Sequence, residues 1–542
     1  MWRRPLAWGA AGGGVAGLVV LSLLVWLRTP QVELGAAARS GVTPVVATET
    51  LTRATGDRAL TAGVRAGIED VACWFAVPAG RGAHCGILTV PERWGATQSR
   101  LLRLRFVVFR GEAGGTLDPV IYLAGGPGAP AQIDAASIGY WWDWIGRTEW
   151  LRKRDLVVFD ARGVGLSEPK MNCPELADTA YRVFAEPLGL EQENSLWSGA
   201  ARRCRERLAG AGIDLASYNT GAIVEDVHSL IAQLGYRSWD LLATSYGTRV
   251  ALRFIDRWRD GTRAVVLDSV YPPNVTAYVD SGSAAAQVFA KLFGECDGDK
   301  ACHAAFPALG RSFEQAVRRA AAAPLAVEIP DPRGGPPLKA RLDDGKLVEV
   351  LFYAFYDWRR IVELPAIINA LAASDTRPLA PLARTALENY VSASVSHGLF
   401  LSVECHDEFP FNRREAVERA AAERPLYRNF ALSTLPLSAC PSWPVGQATE
   451  AEHGPAASDV PVLILSGELD PVTPASWARI GSSRLPRAVL LEFRGVGHGV
   501  LAAHGCASVI VGRFLADPAR SPIDDCLLAV GPPRFQSVVP GG

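Results

Sequence analysis

A doubly wound, mostly parallel α/β sheet with a helical insertion is the fold this sequence predicts, and three observations predict it. From Pro119 to Ser269, short apolar runs alternate with segments of helical spacing. From about Val275 to Gly454 that alternation stops and the pattern is mostly helical. Val460 to Gly467 and Ala488 to Phe493 then restore two strand-like runs. The chain has 542 residues, 49% of them hydrophobic and 20% charged, which suffices for a sizeable core. Its net charge of -1 gives no electrostatic case for nucleic acid, since phosphate binding needs a basic face.

The N-terminus opens with Arg3 and Arg4, followed by an uncharged apolar or small run from Leu6 to Leu27. That is the length a bilayer core requires of a helix, about 20 residues. Ala36-Ala37-Ala38 also satisfies a small-x-small cleavage site, so an uncleaved membrane anchor and a cleaved signal both stay open. Either way the bulk of the chain is expected outside the cytoplasm. The expected organisation is an anchor or signal segment (1–30), a tether (31–70), a first part of the core (71–275), a helical cap (276–455) and a C-terminal part of the core (456–530). Ten cysteines agree with an oxidising compartment. The simplest pairing joins neighbours in sequence, although many connectivities are possible. With no C-x-x-C doublet a zinc site has little support.

Leu88 to Pro91 and Leu102 to Phe109 read as early strands, the second clearly alternating. Pro119 to Leu123 reads as a buried strand that ends in Ala124-Gly125-Gly126-Pro127-Gly128. Glycines there let backbone N–H groups face a cavity, where they can hold an oxyanion. Asp155 to Asp160 is another strand; the glycines at 163 and 165 lack the Walker lysine and the G-x-G-x-x-G spacing, so that loop is read as structural. Glu225 to Ile231 is amphipathic helix, with His228 on its surface. The run Trp239 to Leu242 leads to Thr244-Ser245-Tyr246-Gly247, followed by helical spacing at Val250, Ala251, Phe254, Ile255 and Trp258. Strand, sharp turn and helix is the context that lifts a serine out as a nucleophile.

A serine nucleophile needs a base, and the base an orienting carboxylate. Asp470 follows the strand ending at Gly467, and His498 follows the one ending at Phe493, so both are expected on the same sheet edge as Ser245. Asp268 also follows a strand and is a rival for the acid. His504 stands at a helix start, while His397 and His406 fall in the cap. The order Ser, Asp, His is that of the α/β-hydrolase arrangement. The cap would lie over the carboxyl ends of the strands, where open α/β sheets bind ligands.

The chain resembles the α/β-hydrolase peptidases of the proline iminopeptidase and secreted tripeptidyl aminopeptidase family. The likeness runs from roughly Val71 to Cys526. It is carried by Gly125 to Gly128, Asp160 to Ser167, Thr244 to Gly247, Leu401 to Glu408, Gly467 to Pro474 and Gly497-His498-Gly499. The resemblance implies Ser245 as nucleophile, His498 as base and Asp470 as orienter. It implies an oxyanion hole from the N–H groups of Tyr246 and Gly126, and acyl transfer without metal or organic cofactor. Acidic cap residues, here Glu404, Asp407 and Glu408, are the expected partners of a substrate's free ammonium group. Ala124 stands where the iminopeptidases carry histidine, so strict proline specificity does not follow. Two other classes are weighed against an aminopeptidase: an exported esterase or thioesterase with the same triad, and a membrane-tethered binding protein with an idle hydrolase fold.

Overall fold

The structure, a computed structural model, describes residues 67–537. The expected anchor or signal segment, and all but the last residues of the expected tether, lie outside the described residues. Among the described residues no helix is long and apolar enough to cross a membrane.

The strands are β1 (Gly67–Val71), β2 (Ala83–Pro91), β3 (Leu101–Phe109), β4 (Leu117–Leu123), β5 (Arg154–Phe159), β6 (Trp239–Thr244), β7 (Thr262–Asp268), β8 (Leu325–Ile329), β9 (Leu338–Leu342), β10 (Val462–Gly467) and β11 (Ala488–Phe493). Nine of them form one sheet in the order β1-β2-β3-β5-β4-β6-β7-β10-β11. The first three and the β3–β5 pair are antiparallel; from β5 to β11 all neighbours run parallel. Strands β5 and β6 are buried along their whole length, because helices cover both faces. Leu241 and Ala243 therefore point into one apolar layer and Leu242 into the other. The chain leaves β4 to one side for β5 and to the other for β6. That reversal opens a crevice at the carboxyl ends of the strands.

The opposite ends of the strands are pinned by charge. The Arg154 guanidinium donates to Asp240 at 2.9 Å, and Arg263 pairs with the same carboxylate, so β5, β6 and β7 share one buried anion. Arg162 grips Asp226 through two bonds of 2.6–2.7 Å and also donates to the carbonyls of Glu92 and Ser217. Asp160 accepts from the N–H groups of Ala131 and Leu166. The 160–167 loop is thus a structural brace beside the crevice.

Three elements differ from the sequence expectation. Strand β1 starts at Gly67, within the expected tether: it is an edge strand with two exposed acidic residues and no apolar alternation to announce it. The otherwise helical insertion contains the β8–β9 hairpin, which buries Leu325, Val327 and Ile329 and exposes the residues between them. Helices Pro174–Ala185 and Leu190–Gly210 pack against Ala380–Val391 and Leu435–Ala439 within the insertion. All ten cysteines are paired with their neighbours in sequence: Cys73–Cys85, Cys173–Cys204, Cys296–Cys302, Cys405–Cys440 and Cys506–Cys526.

Candidate active site

Ser245 sits between β6 and the helix Tyr246–Arg257 with φ 55° and ψ -124°, a conformation few non-glycine residues adopt. Neighbouring elements over-determine it. Its N–H donates to the Asp268 carbonyl at 2.9 Å, and its own carbonyl accepts from both the N–H and the hydroxyl of Thr248. Two residues on, Gly247 permits a close crossing: a Cβ there would lie 2.1 Å from the Leu123 carbonyl oxygen. The loop after β4 runs alongside. Gly126 has φ 120°, and an added Cβ would meet the N–H groups of Gly128 and Ala129 at 2.8 Å. The Gly128 carbonyl accepts from Ser396 N–H of the cap at 2.8 Å, tying this loop to the insertion.

Asp470 and His498 follow β10 and β11, which pair in parallel register. Asp470 Oδ2 lies 2.8 Å from His498 Nδ1 and accepts from the Thr473 hydroxyl at 2.6 Å. Its other oxygen accepts from the N–H groups of Val472 and Thr473, both at 2.9 Å. Burial pushes the Asp470 carboxyl up, but the charge and hydrogen bond of His498, with those of Thr473, reverse this and hold it below the usual carboxylate value. The cap fixes the histidine from the other side: His498 N–H donates to the Phe355 carbonyl at 2.9 Å, and Tyr356 stands edge-on to the imidazole at 5.0 Å. Nε2 of His498 is buried and makes no hydrogen bond among the described residues.

Asp268 does not approach the imidazole by hydrogen bond. Its carboxylate accepts from the N–H groups of Val500 and Leu501, and burial raises it to about 6. Ser269 Oγ accepts from Gly499 N–H. The end of β7 therefore holds the serine turn by a backbone carbonyl and the histidine loop by side chains, which makes Asp268 a positioning residue.

Ser245 and Gly126 open on a cavity of about 400 Å³ under the cap. Nine Phe, Tyr and Trp rings contribute to its walls, and two carboxylates, Glu404 and Glu349, reach it. Glu404 accepts from the Tyr278 hydroxyl; burial and the charge of Glu408 raise it to about 7. Of the three acidic residues expected in the substrate site, Glu404 alone lines this cavity. Asp407 accepts from Thr220 N–H and pairs with His406, and it faces a separate cavity of about 200 Å³. Glu408 is fully buried, ion-paired to Arg249, and accepts from Ala277 N–H and the Asn412 amide. Glu349 was missed by sequence reasoning because it sits in an amphipathic helix with no local motif. His397 stacks on Tyr390, and burial lowers it to about 4; His228 lies flat on Trp258; His504 caps a helix. Among the described residues the one cluster with metal-ligand spacing is Cys173, Glu175 and Cys204, and its two sulfurs are joined as a disulfide.

The model of the alpha/beta hydrolase fold matches residues 118–301, which carry Gly126 and Ser245. That of the TAP-like protein family matches residues 425–526, which carry Asp470 and His498. This chain is a serine hydrolase of the α/β-hydrolase fold. Among relatives, it is 27% identical over 474 residues to serine protease Hip1 of Mycobacterium tuberculosis, covering 81% of this chain and 86% of the relative. It is 29% identical over 466 residues to carboxylesterase B of the same organism, covering 82% and 86%. Tripeptidyl aminopeptidase of Streptomyces coelicolor is 27% identical over 478 residues, covering 80% and 81%.

Proposed function

We propose that this serine hydrolase is an exported aminopeptidase that releases short N-terminal pieces from peptides by acyl-enzyme catalysis. The observation that carries the reading is the placement of Ser245 on a cap-covered cavity lined by aromatic rings and by two carboxylates, Glu404 buried and Glu349 half-buried. An exopeptidase needs such a cavity, because the acyl group to be released must be enclosed and its ammonium group matched by negative charge. Five disulfides support export.

In this mechanism His498 Nε2 takes the hydroxyl proton of Ser245 as Oγ attacks the scissile carbonyl carbon. The oxyanion is held by the N–H groups of Tyr246 and Gly126. Collapse of the tetrahedral intermediate breaks the C–N bond, and the imidazolium gives its proton to the departing amine. Water then attacks the ester, deprotonated by the same nitrogen, and Ser245 leaves with the proton returned. Asp470 keeps Nδ1 protonated and the ring aligned throughout. A second reading, an exported carboxylic-ester hydrolase with the same triad, is favoured by the carboxylesterase relative. The deciding experiment compares a short peptide anilide with its N-terminus free against the same compound N-acetylated. Cleavage of the free form alone is expected; equal cleavage of both would replace the aminopeptidase by the esterase.

A further inference from the structure

The two carboxylates of the cavity come from different helices and have different charged neighbours. The groups that act most on Glu404 are Glu408, Arg249 and Asp407, and its charge reaches Tyr246, the residue after the nucleophile. Those that act most on Glu349 are Glu193, Lys346 and Asp343. The Lys346 ammonium is engaged by Glu193 at 2.6 Å and Asp343 at 2.9 Å. Among the described residues Glu349 makes no ion pair; it accepts one hydrogen bond, from the Tyr390 hydroxyl at 3.0 Å. The charged form of a half-buried carboxyl without a partner cation is disfavoured, so Glu349 keeps its proton more readily until a cation joins it. Phe352 and Tyr353 also line this cavity, and aromatic rings favour ammonium groups.

The helix that carries Glu349 relates it to the triad histidine. Glu349 lies in the helix Asp344–Phe352, which continues directly into the turn Tyr353–Tyr356. Tyr356 touches the His498 ring, and Phe355 holds its backbone. Three residues of α-helix and three of 3₁₀-helix lie between Glu349 and Tyr356, which puts the two backbones about 12 Å apart along the axis. A three-residue acyl group extends about 10 Å from its carbonyl carbon to its nitrogen, and a single aminoacyl group about 3 Å. Resting on the aminopeptidase reading, we propose that Glu349 ends the acyl site: its carboxylate takes the α-ammonium of a three-residue acyl group whose carbonyl is held at Ser245. Glu404, whose charge reaches Tyr246, then faces the acyl group short of its terminus. Burial and the Glu193 charge raise the Glu349 carboxyl to about 7, so an arriving ammonium group would also complete its ionisation.

The test uses a free tripeptidyl anilide, its N-acetyl form and a free aminoacyl anilide, with the full chain and its Glu349→Gln, Glu349→Asp and Glu404→Gln variants. Circular dichroism and fluorophosphonate labelling of Ser245 establish that each variant is folded. Glu349→Gln should lower the free-to-acetylated ratio of kcat/KM for the tripeptidyl compounds about 10- to 100-fold, through KM, and shrink the preference over the aminoacyl compound. Glu349→Asp, which keeps the charge, should retain more of the ratio than Gln. The inference is overturned if the Gln variant leaves the ratio unchanged, if free and acetylated substrates fall in parallel, or if Glu404→Gln alone removes the discrimination. A wild-type enzyme that cleaves free and acetylated substrates equally would overturn the aminopeptidase reading, and this inference with it.

Discussion

The sheet edge and the cap each bury an ionic pair, and the two pairs are built to opposite ends. At the sheet edge Asp470 is saturated with donors while its partner His498 keeps Nε2 unbonded. In the cap both oxygens of Glu408 are occupied, by Arg249 on one side and by Ala277 N–H and Asn412 on the other. Arg249 also lies 3.9 Å over the Tyr271 ring and donates to the Pro272 carbonyl. A pair with an open nitrogen leaves a group free to accept a proton; a closed pair fixes the junction of cap and core. Acidity and burial alone therefore do not mark a working residue.

That contrast breaks first at the open pair. Ser245→Ala should abolish turnover by roughly 10⁴-fold or more, and Asp470→Asn should cost about 10⁴ in kcat by favouring the wrong imidazole tautomer, both with unchanged thermal unfolding. Retained activity in either variant would place the chemistry elsewhere. At the closed pair the effect should fall on stability instead. Glu408→Ala strands the Arg249 guanidinium and should cost about 3–5 kcal/mol in denaturant unfolding, whereas replacing both partners by apolar residues should recover much of that. A large KM change with intact stability would show that Glu408 belongs to the substrate site after all.

The disulfides sharpen the comparison more gently. Removing Cys173–Cys204, which spans 31 residues among the helices packed on the cap, should cost about 2–4 kcal/mol. Removing Cys296–Cys302, which spans 6, should cost about 1–2 kcal/mol less, because a shorter loop restrains the unfolded chain less. Smallest is the pH term of Glu404. Its folded value of about 7 lies above the ordinary 4.5, so the folded state holds the extra proton between those limits. Stability should thus fall as pH rises from about 4.5 to 7, and Glu404→Gln should flatten that slope. An unchanged slope in the Gln variant would mean the carboxylate is already ionised at low pH.

Much of the sheet was legible because parallel strands buried on both faces must be written as unbroken apolar runs, and β4, β5, β6, β7 and β10 are. The polar edge strand β1 and the hairpin of the insertion were not, since their residues satisfy no such constraint locally. The serine turn was legible for a similar reason: only small residues survive where Gly247 crosses the Leu123 carbonyl. Asp470 and His498 were placed by their position after strands, and the structure brings them to 2.8 Å.

By itself, then, the sequence determined the fold class, the successive cysteine pairs as the simplest option, and the one edge on which Ser245, Asp470 and His498 had to meet. Those follow from short-range rules of periodicity, turn chemistry and strand order. Tertiary structure alone decided which acids face the cavity at Ser245. Glu404 and Glu408 lie one helical turn apart, yet one lines the cavity and the other closes on Arg249, while Glu349 arrives from a helix 55 residues earlier. Which face of a cap helix meets solvent, core or cavity depends on how the helices cross, and no local pattern records that crossing.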